Sequence, residues 1–95
     1  MAFQLRRYQL RAGTFDEFLA VWRESVVPLR QKFGFEVVGA WGVPGTDDFV
    51  WIVYHPGDFV AAEQAYYQAP ERAALDPDPA SFIENAGTTM MTAVG

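Results

Sequence analysis

The chain holds 95 residues, about half of them apolar, with no cysteine and 12 acidic against 7 basic residues, a formal charge of −5. This is one small domain over residues 1–95, long enough to bury a core. The acidic balance argues against nonspecific binding to nucleic acid or to an anionic membrane, and the lack of cysteine removes disulfides, thiol nucleophiles, zinc–thiolate sites and iron–sulfur clusters. No leader pattern follows Met1 and no apolar run is long enough to span a bilayer, so a soluble cytoplasmic protein is the expectation.

Phe3–Leu10 reads as a first strand, rich in Phe, Leu and Tyr and closed by the turn signal Ala12-Gly13. Arg6, Arg7 and Arg11 read as its solvated edge. Thr14 to Phe33 is the clearest element. Thr14 with Glu17 has the capping-box pattern. Phe15, Phe18, Leu19, Trp22, Val26, Leu29 and Phe33 recur at helical spacing as one apolar core stripe, with Asp16, Glu17, Arg23, Glu24, Arg30 and Lys32 on the other side. Pro28 removes an intrahelical bond and clashes with the preceding turn, which predicts a kink or two helical pieces. Gly34 suits the position just past the helix end.

Phe35–His55 reads as a β-hairpin with Pro44-Gly45 in a type II turn. A four-residue loop, Pro44–Asp47, pairs Val43 with Asp48. Outward from it Trp41 meets Val50, Ala40 meets Trp51, Gly39 meets Ile52, Val38 meets Val53, Val37 meets Tyr54 and Glu36 meets His55. Both strands are apolar on both faces, so each face needs a cover. Asp58 caps a second helix, Phe59–Gln68, with Phe59, Ala62, Ala65 and Tyr66 as its buried side. Pro70 opens a short helix, Glu71–Leu75. A loop at Asp76–Pro79, a brief turn at Ser81–Asn85 and a last strand at Thr88–Val94 complete the chain.

The order β-α-β-β-α-β predicts a ferredoxin-like α+β fold, an antiparallel four-stranded sheet with both helices on one face. The other face, expected to carry Val38, Ala40, Trp51 and Val53, is too apolar for water, which predicts a homodimer through that face. No glycine-rich nucleotide loop, P-loop or nucleophile elbow occurs. A single histidine without cysteine does not build a common zinc site, so neither metal nor cofactor is expected. Candidates remain for a ligand pocket in Tyr8, Trp41, Trp51 and Tyr54, although aromatics in a small sheet are core residues first. Candidates for acid/base catalysis are His55 and Glu36, cross-strand neighbours in the register above, where the carboxylate would orient the imidazole.

QLRRY at residues 4–8, Gly13, the helix bearing Phe18 and Trp22, Pro28-Leu29, Gly34 and VVGAW at 37–41 resemble the NIPSNAP family, part of the dimeric α/β-barrel superfamily, from Phe3 to about Tyr66. The resemblance implies a ferredoxin-like subunit whose sheet pairs with a second copy to close a barrel. It implies no single reaction, since relatives in the superfamily include cofactor-independent monooxygenases, isomerases and haem-binding enzymes. The chain departs from the family pattern at Gln4, where an acid is usual. It also has no Lys or Arg between Lys32 and Arg72, which speaks against an anionic ligand there. Three functions are then open: a dimer that binds a hydrophobic small molecule or a partner protein, a cofactor-independent oxygenase or isomerase using His55, or a structural or regulatory dimer with no pocket. A cavity lined by the aromatics separates the first two from the third.

Overall fold

In the computed structural model, which describes residues 2–95, alternation along β1 (Ala2–Leu10) decides which side of the sheet the helices take. Gln4, Arg6, Tyr8 and Leu10 are buried, while Arg7 and Gln9 are exposed. The chain continues through α1 (Phe15–Val21), a π-helical turn (Trp22–Val26), α2 (Val27–Lys32), β2 (Glu36–Gly42), β3 (Asp48–His55), α3 (Phe59–Gln68), α4 (Pro70–Ala73), a 3-10 turn (Pro79–Phe82) and β4 (Ile83–Thr92). The strands form one antiparallel sheet in the order β2-β3-β1-β4, the ferredoxin-like arrangement that the element order predicts. β4 begins at Ile83 instead of Thr88, because Asn85 and Ala86 find ladder partners in Gln9 and Tyr8, and pairing overrides their weak strand preference. Among the described residues no helix is long and apolar enough to cross a membrane.

The first helix is in two α-helical pieces, as Pro28 requires. In a regular helix its ring would meet the carbonyl of residue 24; the wide turn at Trp22–Val26 opens the backbone there. That turn has a second consequence. At about 100° per residue Arg30 would stand roughly 80° around the helix from Trp22, on the solvent side. The extra residue in the π-turn rotates α2 back by a similar angle and turns Arg30 inward, where it is 1% exposed. The expected capping box is not formed. Thr14 has ψ of 5° instead of an extended backbone, and its hydroxyl donates to the Arg11 carbonyl at 2.7 Å. The far end matches expectation: Gly34 takes φ of +87°, with Gly34 N–H on the Gln31 carbonyl at 3.0 Å and Phe35 N–H on the Arg30 carbonyl at 3.1 Å. Asp58 caps α3 through the Ala61 N–H. Phe59 and Tyr66 are buried by α3 as expected, but Ala65 is exposed.

The two faces of the sheet are the reverse of the expectation. Phe49, Trp51 and Val53 lie under the helices at 1% exposure or less, and Ala40 sits on the same face. The open face carries Phe3, Leu5, Val50, Ile52, Tyr54 and Trp41. Both faces of β3 are equally apolar, so its own pattern cannot choose between them. The choice comes from β1, which pairs Tyr8 with Phe49 and Arg6 with Trp51 and thereby carries β3 with it. Around Phe49 the core is a lattice of tilted rings, with Phe18 and Trp22 both at 5.2 Å.

The hairpin keeps the expected register only near its turn. Gly45 takes φ of +77°, Thr46 N–H reaches the Val43 carbonyl at 3.2 Å, and Trp41 meets Val50, Ala40 meets Trp51 and Gly39 meets Ile52. A bulge at Val38 then shifts the strand by one, so that Val37 faces Val53 and Glu36 faces Tyr54. The expected pairs Val38–Val53, Val37–Tyr54 and Glu36–His55 therefore do not form. The bulge has a clear physical reason: it places Phe35 on the helix side, 2% exposed, against Phe59 at 5.3 Å and His55 at 4.9 Å. An unbroken register would turn that ring to the open face.

His55 is held by backbone. Its Nδ1 accepts from the Gly57 N–H at 2.9 Å, which leaves the proton on Nε2 to donate to the Phe33 carbonyl at 3.1 Å. The side chain thus ties the end of β3 to the end of the first helix. His55→Ala should cost about 1–2 kcal/mol by freeing both backbone groups, whereas Glu36→Gln on the exposed end of β2 should change stability by less than about 0.5 kcal/mol. Urea denaturation of the two variants checks this; equal costs would mean that the two bonds contribute nothing.

Candidate functional site

Two arginines on opposing elements define the interior polar cluster. Arg6 points from β1 toward α3, 7% exposed, and every part of its guanidinium is engaged. Nε donates to the Tyr8 hydroxyl at 2.7 Å, Nη1 to Gln4 Oε1 at 2.7 Å and Glu63 Oε1 at 2.8 Å, and Nη2 to the Tyr67 hydroxyl at 2.7 Å. Burial works against its charge, but the oxygens of Tyr8, Tyr67 and Glu63 outweigh that and hold its pKa above the ordinary value.

Arg30 comes from the other side. Its guanidinium lies over the rings of Tyr66 at 4.1 Å and Phe35 at 4.8 Å. Nη2 donates to the Tyr67 hydroxyl at 3.2 Å and stands 3.6 Å from Glu63 Oε1. No group accepts from its Nε or Nη1, nor from the indole N–H of Trp22 or Trp51, all of them buried. One carboxylate, Glu63, therefore serves two buried arginines. Burial also pushes the Tyr66 phenol up, against the opposing pull of Arg30.

Beside this cluster lies a cavity of about 320 Å³ between helices and sheet. Arg6, Tyr8 and Trp51 line it from the sheet, Phe18, Trp22, Val26 and Arg30 from the first helix, and Tyr66, Tyr67 and Arg72 from α3 and α4. Pro79, Ala80, Ile83, Glu84 and Ala86 complete the wall. Arg72 is paired with Asp78 at 3.2 Å, and Glu84 stands 3.7 Å from Arg11. Among the described residues, no three or more His, Cys, Asp or Glu stand together as a metal site would need.

Of the residues singled out from the sequence, the cavity brings together Tyr8 and Trp51. Trp41 and Tyr54 lie on the opposite, open face; the Trp41 ring lies over Gly39, and the Tyr54 ring lies tilted against Phe3 at 4.9 Å. His55 and Glu36 are not among the lining residues, and they are not cross-strand partners. Sequence reasoning missed Arg6, read as a solvated edge, and Arg30, read as part of the solvent face, along with Glu63, Tyr67 and Arg72. Arg6 has a signal in the sequence, since it shares parity with Tyr8 and Leu10 along a strand. Arg30 has none without knowledge of the π-turn. The lack of basic residues between Lys32 and Arg72 is thus no bar to an anionic ligand, because Arg6 and Arg30 reach the space from outside that segment.

A model of the NIPSNAP family matches residues 3–92. No curated protein matches the chain in sequence. Among solved structures, an uncharacterised NIPSNAP domain protein from Burkholderia xenovorans superposes with a TM-score of 0.86 at 16% identity, over 99% of this chain and 95% of that one. A NIPSNAP family protein of unknown function from Agrobacterium tumefaciens gives 0.84 at 20% identity, over 96% and 86%. An antibiotic biosynthesis monooxygenase gives 0.73 at 17% identity, over the full length of both chains. At such identities the structural likeness speaks to the fold.

Proposed function

This chain belongs to the NIPSNAP family, and from that premise we propose that it is a homodimer that binds a small, mainly apolar organic molecule between its helices and its sheet. The observation that carries this reading is the cavity of about 320 Å³, walled by aromatic rings, with Arg6, Arg30 and Arg72 among its lining residues. Ligand sites combine such apolar walls with a few convergent polar groups. A purely structural dimer has no use for such a cavity. His55 is poorly placed to serve an oxygenase or isomerase as acid/base, because backbone groups occupy both ring nitrogens.

The second copy belongs to the same reading. Phe3, Leu5, Val50, Ile52 and Tyr54 share the face without helices, and Trp41 is 51% exposed there. An apolar patch of this kind on a small domain favours burial in an interface, and a stable one would cover on the order of 2,000 Å² in total.

A library of small apolar and aromatic compounds, screened by thermal shift, tests the binding. Compounds that raise the melting temperature of the parent should fail to do so in Ala86→Trp, which puts an indole into the cavity wall. Hits that stabilise both proteins equally, or a library without hits, would overturn the reading.

A further inference from the structure

We propose that Tyr67 sets the length of ligand this cavity accepts, as a wall between it and a second space beside α3; this rests on the cavity being a ligand site and adds what limits its occupant. The second space is an open groove of about 520 Å³, lined by Gln4, Val60, Glu63, Gln64, Gln68 and Thr88. Arg6 and Tyr67 line both spaces. The sheet register sets the two end to end. On β4, Ala86 belongs to the cavity and Thr88 to the groove, and their partners on β1 are Tyr8 and Arg6. Two residues along a strand span about 7 Å, so the spaces are immediate neighbours. The bond from Arg6 Nη2 to the Tyr67 hydroxyl, 2.7 Å long, crosses from sheet to helix at their common boundary.

That wall is held from several sides. Arg30 Nη2 donates to the same hydroxyl at 3.2 Å, Tyr66 packs edge-on against the Tyr67 ring at 5.0 Å, and the Arg72 guanidinium stands 5.7 Å from its centre. Arg6 is fixed in turn by Glu63 at 2.8 Å and Gln4 at 2.7 Å. Tyr67 is therefore anchored although it is 47% exposed, and swinging it aside would break two hydrogen bonds from charged donors, the stronger kind. The two spaces also differ in chemistry, since aromatic rings dominate the cavity while amide and carboxyl groups dominate the groove. At roughly 30 Å³ for each non-hydrogen atom, the cavity of about 320 Å³ holds about ten, one ring with a short tail. A longer tail meets Tyr67 or turns out past the exposed Ala80 and Ala86 into water. In either case its extra methylenes are not buried and add no affinity.

Two neutral probes that differ by four methylenes, 3-phenylpropan-1-ol and 7-phenylheptan-1-ol, report on the wall. The indole N–H signals of Trp22 and Trp51, which line the cavity, follow their binding to ¹⁵N-labelled protein. In the parent the two alcohols should bind within about twofold of each other. In Tyr67→Ala the longer one should bind about tenfold or more tighter than the shorter, because each buried methylene adds roughly fourfold. The backbone amide signal of Thr88, in the groove, should then move with the longer alcohol only. Should Tyr67→Ala not fold, Tyr67→Gln, which removes the ring and keeps an acceptor for the two arginines, should give the same preference. A parent that favours the longer alcohol as strongly as the variant does, or a folded variant with no preference, would overturn the wall and leave the cavity standing as a ligand site. Indole signals that answer to neither alcohol would also overturn the wall and, in a protein whose thermal-shift library is silent too, the ligand site with it.

Discussion

Trp22→Ala should lower the unfolding free energy by about 3–5 kcal/mol, the cost of emptying a large aromatic site that the surroundings cannot refill. Trp22 sits on the inner stripe of the first helix, buried, with its ring 5.2 Å from Phe49 and 5.5 Å from Trp51. Those two rings belong to β3, so the substitution opens a gap between the helix layer and the centre of the sheet. Because domains of this size are stable by only about 5–15 kcal/mol, the variant should lose much of its denaturation midpoint. The effect has one offset: the Trp22 indole N–H has no acceptor, so its removal relieves a buried donor worth about 1–3 kcal/mol. Trp22→Phe separates the two contributions, since it keeps most of the ring and drops the N–H; it should cost far less than Trp22→Ala. Chemical denaturation of both variants supplies the measurement. Full stability in Trp22→Ala would mean that the helix does not pack on β3 through this residue.

Ile52→Asp should convert the proposed dimer into a monomer. Ile52 lies on β3, an interior strand of the sheet, opposite Leu5 on one side and Gly39 on the other, and it points to the open face. A two-fold interface carries each substitution twice. Burying an unpaired carboxylate costs several kcal/mol per ion, so the dissociation constant should rise by about 10³-fold or more. The cost to the isolated subunit should be small, because in a monomer this position is only half-buried and water can reach the new carboxylate. Light scattering at micromolar concentration should show the parent as a dimer, the variant as a monomer, and Val60→Asp, on the exposed side of α3, as a dimer. A parent that runs as a monomer would remove the second copy from the proposal while leaving the cavity, which lies within one chain, unaffected.

How far the amino-acid sequence could be read varied with the kind of question. Element order, the antiparallel sheet, the break at Pro28, the glycine stop at residue 34 and the Pro44-Gly45 turn are all local, set by periodicity, ring closure in proline and the freedom of glycine at positive φ. The family resemblance, carried by short stretches in fixed order, agrees with the match over residues 3–92. Where the local signals were balanced, the reading went astray. Both faces of β3 are apolar, and a strand with period two and no polar side does not say which face is inner. The pairing of Tyr8 with Phe49 settled it.

The site depended on two one-residue shifts that no local pattern reveals. The bulge at Val38 trades a cross-strand Glu36–His55 pair for the burial of Phe35, because the packing of a large ring between α3 and His55 outweighs a ladder pair at an exposed strand end. The π-turn before Pro28 carries Arg30 from the solvent side of a helix to its inner side, over Tyr66. Each shift inserts a single residue, and each moves a charged or aromatic side chain from one face to the other. Spacing in the chain therefore predicted the elements and their order, while the phase between neighbouring elements, which depends on packing across the whole domain, placed the two arginines at one cavity.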